Sequence, residues 1–260
     1  MNQFISVPSE RIAVVSITRH GIALAGRVVA CLPGARLFVP EKFRAEGEAA
    51  APGAVACYTG KTGDQIPALF EHFDGIVAIV SLGAMVRLMA PHLKDKEQDP
   101  GVVVLDEAGR YAIPVLAGHL GGANALAGHI ARELGALPVL TTASDARETL
   151  AVDLLGRELG WTFAATKQVV VRTSAAVVND DPVAVVQEAG SRDWWTHHAN
   201  GRSKPLPANI QLLTNIEDVD PSRYGAVLWI TRRATEALPS ALLDAIRDRL
   251  VVYTPPQNPT

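Results

Sequence analysis

The residues with the strongest chemical character fall in four short stretches, each following an apolar run. They are TRHG (Thr18, Arg19, His20, Gly21), SLGAMVRL (Ser81, Gly83, Arg87), GHLGGAN (Gly118, His119, Gly121, Gly122, Asn124) and TTASD (Thr141, Thr142, Ser144, Asp145). Ligands of open parallel sheets bind beyond the carboxyl ends of the strands. If the preceding strands are parallel, all four loops face one edge. GHLGGAN is too rich in glycine for a helix interior. It carries neither the Lys-Ser/Thr of a phosphate loop nor the GxGxxG spacing of a dinucleotide turn, so nucleotide binding is disfavoured. His119 sits just before a helical pattern, where unpaired N–H groups attract anions. That sets it apart from the other histidines. Plainer readings stand beside these: TRHG can simply open a helix, Gly83 can serve a tight turn, and Ser144 or Asp145 can cap a helix start.

A second group is the charged run RLMAPHLKDKEQDPGVVVLDEAGR, with Arg87, His92, Lys94, Asp95, Lys96, Asp99, Asp106, Glu107 and Arg110. Its mixed signs read either as a solvated face or as cations for an anionic ligand. His129 lies on an apolar helical face and reads as packing, while His197 and His198 are neighbours in a polar loop. The chain has no HExxH, no paired CxxC and no GxSxG elbow. No cofactor or metal held by the protein is expected.

Bulk composition narrows the classes further. The 260 residues are 48% hydrophobic and 20% charged, enough for a packed core. A net charge of -3 and 5% aromatic residues argue against a nucleic-acid binder. The two cysteines, Cys31 and Cys57, make no disulfide framework and read as inert thiols in apolar surroundings. The start MNQFISVPSERIAVV lacks a signal-peptide pattern, and no apolar run is long enough to span a bilayer. A cytoplasmic protein without membrane contact is expected.

The elements that would position these residues alternate. RIAVVSIT, ARLFVP, AVACYTG and GIVAIVS read as strands, with helices at GIALAGRVVACL and TGDQIPALFEHF. GVVVLDEAGRYAIPVLA reads as two short strands joined at DEAG. GANALAGHIARELG reads as a helix, with Leu126, Ile130 and Leu134 on one face, then LPVLTT as a strand and SDARETLAVDLLGRELG as a helix. TKQVVVRTSAAVVNDDPVAVVQE is read as helix, turn at residues 179–182, then strand. NIQLLT, AVLWITRR and VVYTPP read as strands and PSALLDAIRDRL as a helix. The expected class is α/β: an open, mostly parallel sheet with flanking helices over residues 1–160, then a smaller α/β domain over 161–260.

The joint pattern LGAMVRLMAPHLKDKEQDPGVVVLDEAGRYAIPVLAGHLGGANALAGHIARELGALPVLTTASD strongly resembles the N-terminal domain of the cobalt-precorrin-5A hydrolase family of cobalamin biosynthesis. AVVSITRHGIALAGRV and FVPEKF fit it as well, and VVNDDPVAVVQEAGSRDWW with PLPANIQLLTN resembles that family's central domain. Ala117 stands where Ser is common in the family. The resemblance implies hydrolysis of a δ-lactone on a cobalt corrinoid precursor with release of acetaldehyde. Cobalt would then arrive only inside the substrate. His119 would act as base and Asp145 would orient it. Arg87, His92, Lys94, Lys96, Arg110, Gly83, Gly118, Gly121, Gly122, Asn124, Thr141 and Thr142 would hold the anionic corrinoid. Family members usually carry a further C-terminal domain, whereas this sequence stops at VVYTPPQNPT. A separately encoded C-terminal-domain protein is therefore an expected partner, and a homodimer is a further candidate. A non-catalytic corrinoid-binding or scaffold subunit is the competing reading.

Overall fold

The computed structural model describes residues 9–95, 98–196 and 204–257. Runs of Val, Ile and Ala build its strands, and the chain divides into two compact units, Met1–Leu140 and Thr141–Thr260. The expected α/β class is what the chain adopts in both.

In chain order the first unit holds β1 (Ile12–Ser16), α1 (Arg19–Cys31), β2 (Arg36–Pro40), α2 (Arg44–Ala50), β3 (Val55–Tyr58) and α3 (Ile66–His72). It continues with β4 (Gly75–Ile79), α4 (Leu82–Met89), β5 (Gly101–Leu105), β6 (Tyr111–Leu116), α5 (Ala123–Leu134) and β7 (Leu137–Pro138). The sheet order is β3-β2-β1-β4-β5-β6-β7. Every residue of β1, β4 and β5 is buried, as expected of strands covered on both faces. Alternate side chains go to opposite layers. Ile12, Val14, Val77, Ile79, Val103 and Leu105 pack with Ile22 and Val28 of α1 and Leu126 and Ile130 of α5. Ala13, Val15, Ile76, Ala78, Val102 and Val104 pack with Ile66 and Leu69 of α3 and Met85 and Met89 of α4.

One strand pair reverses direction. β3, β2, β1, β4 and β5 run parallel, but β5 and β6 pair antiparallel, with Leu105 opposite Ala112 and Val102 opposite Leu116. The turn between them is closed by Gly109 N–H donating to Asp106 O at 2.8 Å, with Gly109 at φ +65°. β7 is parallel to β6. Thus β6 and β7 end at the edge where β1, β4 and β5 begin.

The second unit holds α6 (Ala143–Ala146), β8 (Thr162–Ala164), α7 (Lys167–Val178), β9 (Val183–Gln187), β10 (Ile210–Leu213), β11 (Ala226–Ile230), α8 (Ser240–Ile246) and β12 (Leu250–Thr254). Its sheet order is β10-β9-β11-β12-β8, with only β8 antiparallel to its neighbour. The helix-turn-strand expected over TKQVVV…VVQE is present as α7 and β9. The units divide at Leu140 and Thr141, ahead of the 160/161 division expected from the sequence, because Leu150, Val152 and Leu155 pack into the core of the second sheet.

Two element expectations need correction. SDARETLAVDLLGRELG is not one helix: α6 spans four residues, and Glu148, Gly156 and Gly160 adopt φ of 51°, 71° and 71°. Those left-handed residues break the helical path, and short 3-10 turns carry Leu154 and Leu159 instead. LPVLTT is a strand only at Leu137–Pro138, with the Leu137 and Val139 N–H groups donating to Arg110 O and Ala112 O of the neighbouring chain segment at 2.8 and 2.9 Å. Among the described residues no helix is long and apolar enough to cross a membrane.

Candidate active site

The antiparallel β6 splits the expected site between two edges of the first sheet. The carboxyl edge of β1, β4 and β5 receives TRHG, SLGAM and the DEAG turn. GHLGGAN, at the end of β6, lies at the opposite edge. The expectation that these loops share one edge fails because it required β6 to run parallel to its neighbour.

At the carboxyl edge, the topological switch lies between β1 and β4, since the order departs from β1 in both directions. Thr18 caps α1 by accepting from Gly21 N–H at 3.1 Å, and its hydroxyl donates to Glu107. Gly83 lies in the first turn of α4, and Arg87 folds back to donate to Gly83 O at 2.9 Å. Arg110 is paired with Asp106 at 3.0 Å, and Asp106 also accepts the backbone N–H groups of Arg110 and Tyr111 at 2.8 and 2.9 Å. Partial burial would raise the Asp106 carboxyl, but the Tyr111 N–H and the Arg110 guanidinium outweigh it and hold the group below its ordinary value. Arg87 and Arg110 are exposed cations already engaged by their own loops.

The other edge is built around glycine. Ala117 leaves β6 with φ +50°, a conformation that costs an L side chain energy, and Gly122 enters α5 at φ +78°. The loop then closes on itself. Gly122 N–H donates to His119 O at 2.9 Å, Ala123 N–H to Ala117 O at 3.3 Å and Asn124 N–H to Gly118 O at 2.9 Å. A side chain at Gly121 would meet Ala117 O at 2.8 Å, and one at Gly118 would meet Asn124 Oδ1 at 2.6 Å. A side chain at Gly101, the first residue of β5, would run into Gly121 O and come within 3.2 Å of Ala123 N. Close backbone approach therefore requires glycine at 101 and 121, and the Asn124 side chain occupies the space beside Gly118. The Gly122 N–H is spent within the loop, which leaves the Gly121 N–H as the backbone donor of that pair. His119 is half-buried in this loop.

The segment entering β5 belongs to the same edge. Asp99 is 8% exposed and accepts the Lys94 N–H at 3.0 and 3.2 Å, so it fixes the loop carrying Lys94 beside Gly101. His92 ends the 3-10 turn just before it. Lys96 lies outside the described residues, as do His197 and His198. Asp99 was visible in the sequence only as one charge among several; its burial separates it from them.

Thr141, Thr142 and Asp145 open the second unit. Thr142 precedes α6 with extended backbone, and its hydroxyl donates to Asp145. His129 is 4% exposed, within reach of Cys31 O at 3.1 Å through Nε2 and of Arg132 at 2.9 Å through Nδ1, which fits a packing role. Cys31 and Cys57 are half-buried rather than buried, and burial pushes the Cys31 thiol up to about 11, aided by Glu133. Among the described residues no group of three or more His, Cys, Asp or Glu is arranged to hold a metal.

Residues 64–145 match the family model described as cobalamin synthesis G N-terminal. Residues 150–255 match the one described as cobalamin biosynthesis central region. The chain carries the N-terminal and central regions of the cobalamin synthesis G family. It is 39% identical to the cobalt-precorrin-5A hydrolase of Priestia megaterium over 232 residues, covering 89% of this chain and 60% of that protein. It is 37% identical to the cobalt-precorrin-5A hydrolase of Salmonella typhimurium over 190 residues, covering 73% of this chain and 50% of that protein. The chain thus spans between half and three fifths of the length of these two curated relatives. A crystal structure of a cobalamin biosynthesis protein G homolog from Sulfolobus solfataricus aligns over 97% of this chain and 62% of that one, at 19% identity and a TM-score of 0.48. The GHLGGAN loop and the Lys94–Asp99 segment both fall inside the matched N-terminal region of the cobalamin synthesis G family.

Proposed function

We propose that this chain hydrolyses the δ-lactone of cobalt-precorrin-5A, with release of acetaldehyde, in cobalamin biosynthesis. The observation that carries the reading is the 39% identity to a cobalt-precorrin-5A hydrolase across 89% of the chain. The GHLGGAN edge supplies groups suited to it. Ester opening needs a base for water and a donor for the developing oxyanion. His119 is the base, and the Gly121 N–H is the oxyanion donor. Water adds to the lactone carbonyl, the ring oxygen leaves with a proton, and a carboxylate and a hydroxyl result. The new hydroxyl then gives up its proton to a base, the carbon–carbon bond to the macrocycle breaks, and the two-carbon unit departs as acetaldehyde, the bonding electron pair remaining on the macrocycle. Asp145, which accepts from the Thr142 hydroxyl, is the candidate second catalytic group. His92 and Lys94 meet substrate carboxylates at the same edge, together with Gly118, Gly122 and Asn124, and Lys96, Thr141 and Thr142 are further candidate substrate contacts. Gly83, Arg87 and Arg110 stand at the other edge, where they serve as a second anion contact.

Cobalt belongs to the substrate in this reading, and the protein works in the cytoplasm without a cofactor of its own. A C-terminal-domain protein and a second copy of the chain are the partners to test. The deciding measurement is acetaldehyde release from cobalt-precorrin-5A by the purified chain, alone and with a C-terminal-domain protein added. Release by the chain alone is the expected result. Absence of release in both samples overturns the proposal.

A further inference from the structure

The second unit has a cavity of about 460 Å³ of its own. Its position follows from the topology. β10 lies on one side of β9 and β11 on the other, so the chain's path diverges between β9 and β11. Clefts at such a divergence, beyond the carboxyl ends of parallel strands, are the preferred ligand sites of open α/β sheets. The cavity lies at that edge. Gly190 and Ser191 follow β9, Arg232 follows β11, Pro255 and Pro256 follow β12, and Trp161 leads into antiparallel β8.

One wall is flat and apolar. Gly190, at φ +76°, is packed so tightly that a side chain there would lie 2.7 Å from Pro255 Cγ and 2.9 Å from Trp161 Cζ2. The indole and the proline ring are thus held together against the bare backbone. The polar side is a single cation. Arg232 donates one N–H to Pro256 O at 2.7 Å. No carboxylate among the described residues pairs with it. Its neighbour Arg233 is the contrast: it pairs with Glu188 at 3.1 Å and with Glu217 at 2.7 Å. Glu188 is further occupied by the Thr231 hydroxyl at 2.9 Å and the Ile216 N–H at 3.1 Å. Ser191 is engaged by Asp193. The acids near this edge are committed, and the guanidinium on the cavity keeps N–H donors for a ligand.

We propose that this cavity binds a carboxylate-bearing ring at the edge of the corrinoid substrate, an inference that rests on the function proposed above. The ring lies against Trp161 and Pro255, and its carboxylate arm takes the Arg232 fork. Small-molecule sites occupy roughly 300–1,000 Å³. A cavity in the lower half of that range takes one ring and its arm rather than a whole four-ring macrocycle.

The test uses the full chain and two probes. Cobyrinic acid, a polycarboxylate cobalt corrinoid, is titrated calorimetrically. Pyrrole-2-carboxylate is titrated by NMR on the indole N–H of Trp161, assigned with W161F. The expected result is that R232Q weakens corrinoid binding roughly tenfold or more, as for loss of a charged hydrogen bond, that R232K loses less, and that pyrrole-2-carboxylate shifts the Trp161 signal in the parent but not in R232Q. Unfolding temperatures of the variants establish that they are folded. Corrinoid binding that is unchanged in R232Q overturns this site and leaves the proposed function standing. If the parent binds no corrinoid, the proposed function is in difficulty. The cavity is then judged by the small probe: a Trp161 shift lost in R232Q supports it, and no shift overturns it.

Discussion

Two histidines ten positions apart show how little residue type says without its surroundings. His119 is half-buried in a glycine loop, whereas His129 is 4% exposed and wedged between Cys31 O and Arg132. His119→Ala should lower acetaldehyde release by about 10²–10⁴, the range for loss of a general base, with an unchanged unfolding temperature. His129→Ala should do the reverse. It removes hydrogen bonds at a buried position, so it should cost about 1–3 kcal/mol of stability while the folded fraction keeps its activity. Denaturant curves alongside rates separate the two. Asp106 offers a pH signature. Its folded value is depressed, so it stabilises the fold above the ordinary carboxylate value of 3.8, and that contribution disappears as pH falls through the folded value. Asp106→Asn should therefore melt earlier than the parent at neutral pH, with the gap closing in acid. The cations Arg87 and Arg110 were legible as residue types. Their partners, Gly83 O and Asp106, were not, because pairing depends on turn geometry that composition does not encode.

At the level of elements, the feature that decides the site is the hairpin at DEAG. Its two short strands and its turn could be read from the sequence, and so could every strand that β1, β4 and β5 represent, because fully buried strands announce themselves as unbroken apolar runs. The consequence of the hairpin for GHLGGAN is harder to see: one reversal carries the next loop to the far edge. The failed helix over residues 144–160 has a different cause. Val152, Leu155 and Leu159 have helix-compatible spacing, but left-handed Glu148 and Gly156 send them into the second core along an irregular path. The glycines of α5 and its loop give a paired test. Gly121→Ala drives a methyl into Ala117 and must displace the loop, so it should reduce both stability and activity. Gly128→Ala, in the same element's helical interior with nothing within 4 Å, should stabilise by about 0.5–1 kcal/mol and leave activity intact. Thermal melts and acetaldehyde assays on both variants check the contrast. Equal effects would mean that the loop is not held by backbone approach.

For the whole molecule, the informative point is where one folding unit stops. The apolar clusters are segregated: those of the first sheet draw on residues up to Ala136, and those of the second begin at Leu150. Units with separate cores are expected to fold separately. Residues 141–260 alone should therefore unfold in one cooperative transition. A fragment starting at 161 should not. It lacks Leu150, Val152 and Leu155, which are 2%, 1% and 8% exposed, and each buried aliphatic side chain contributes about 1.5–3 kcal/mol. It also strips the buried Tyr253 hydroxyl of its acceptor, Val152 O at 2.6 Å, leaving an unsatisfied donor worth roughly another 1–3 kcal/mol. Those losses rival the whole stability of an ordinary domain, about 5–15 kcal/mol. Urea unfolding of the two fragments followed by circular dichroism decides the matter. A cooperative transition in the shorter fragment would show that residues 141–160 are a linker rather than part of the second core.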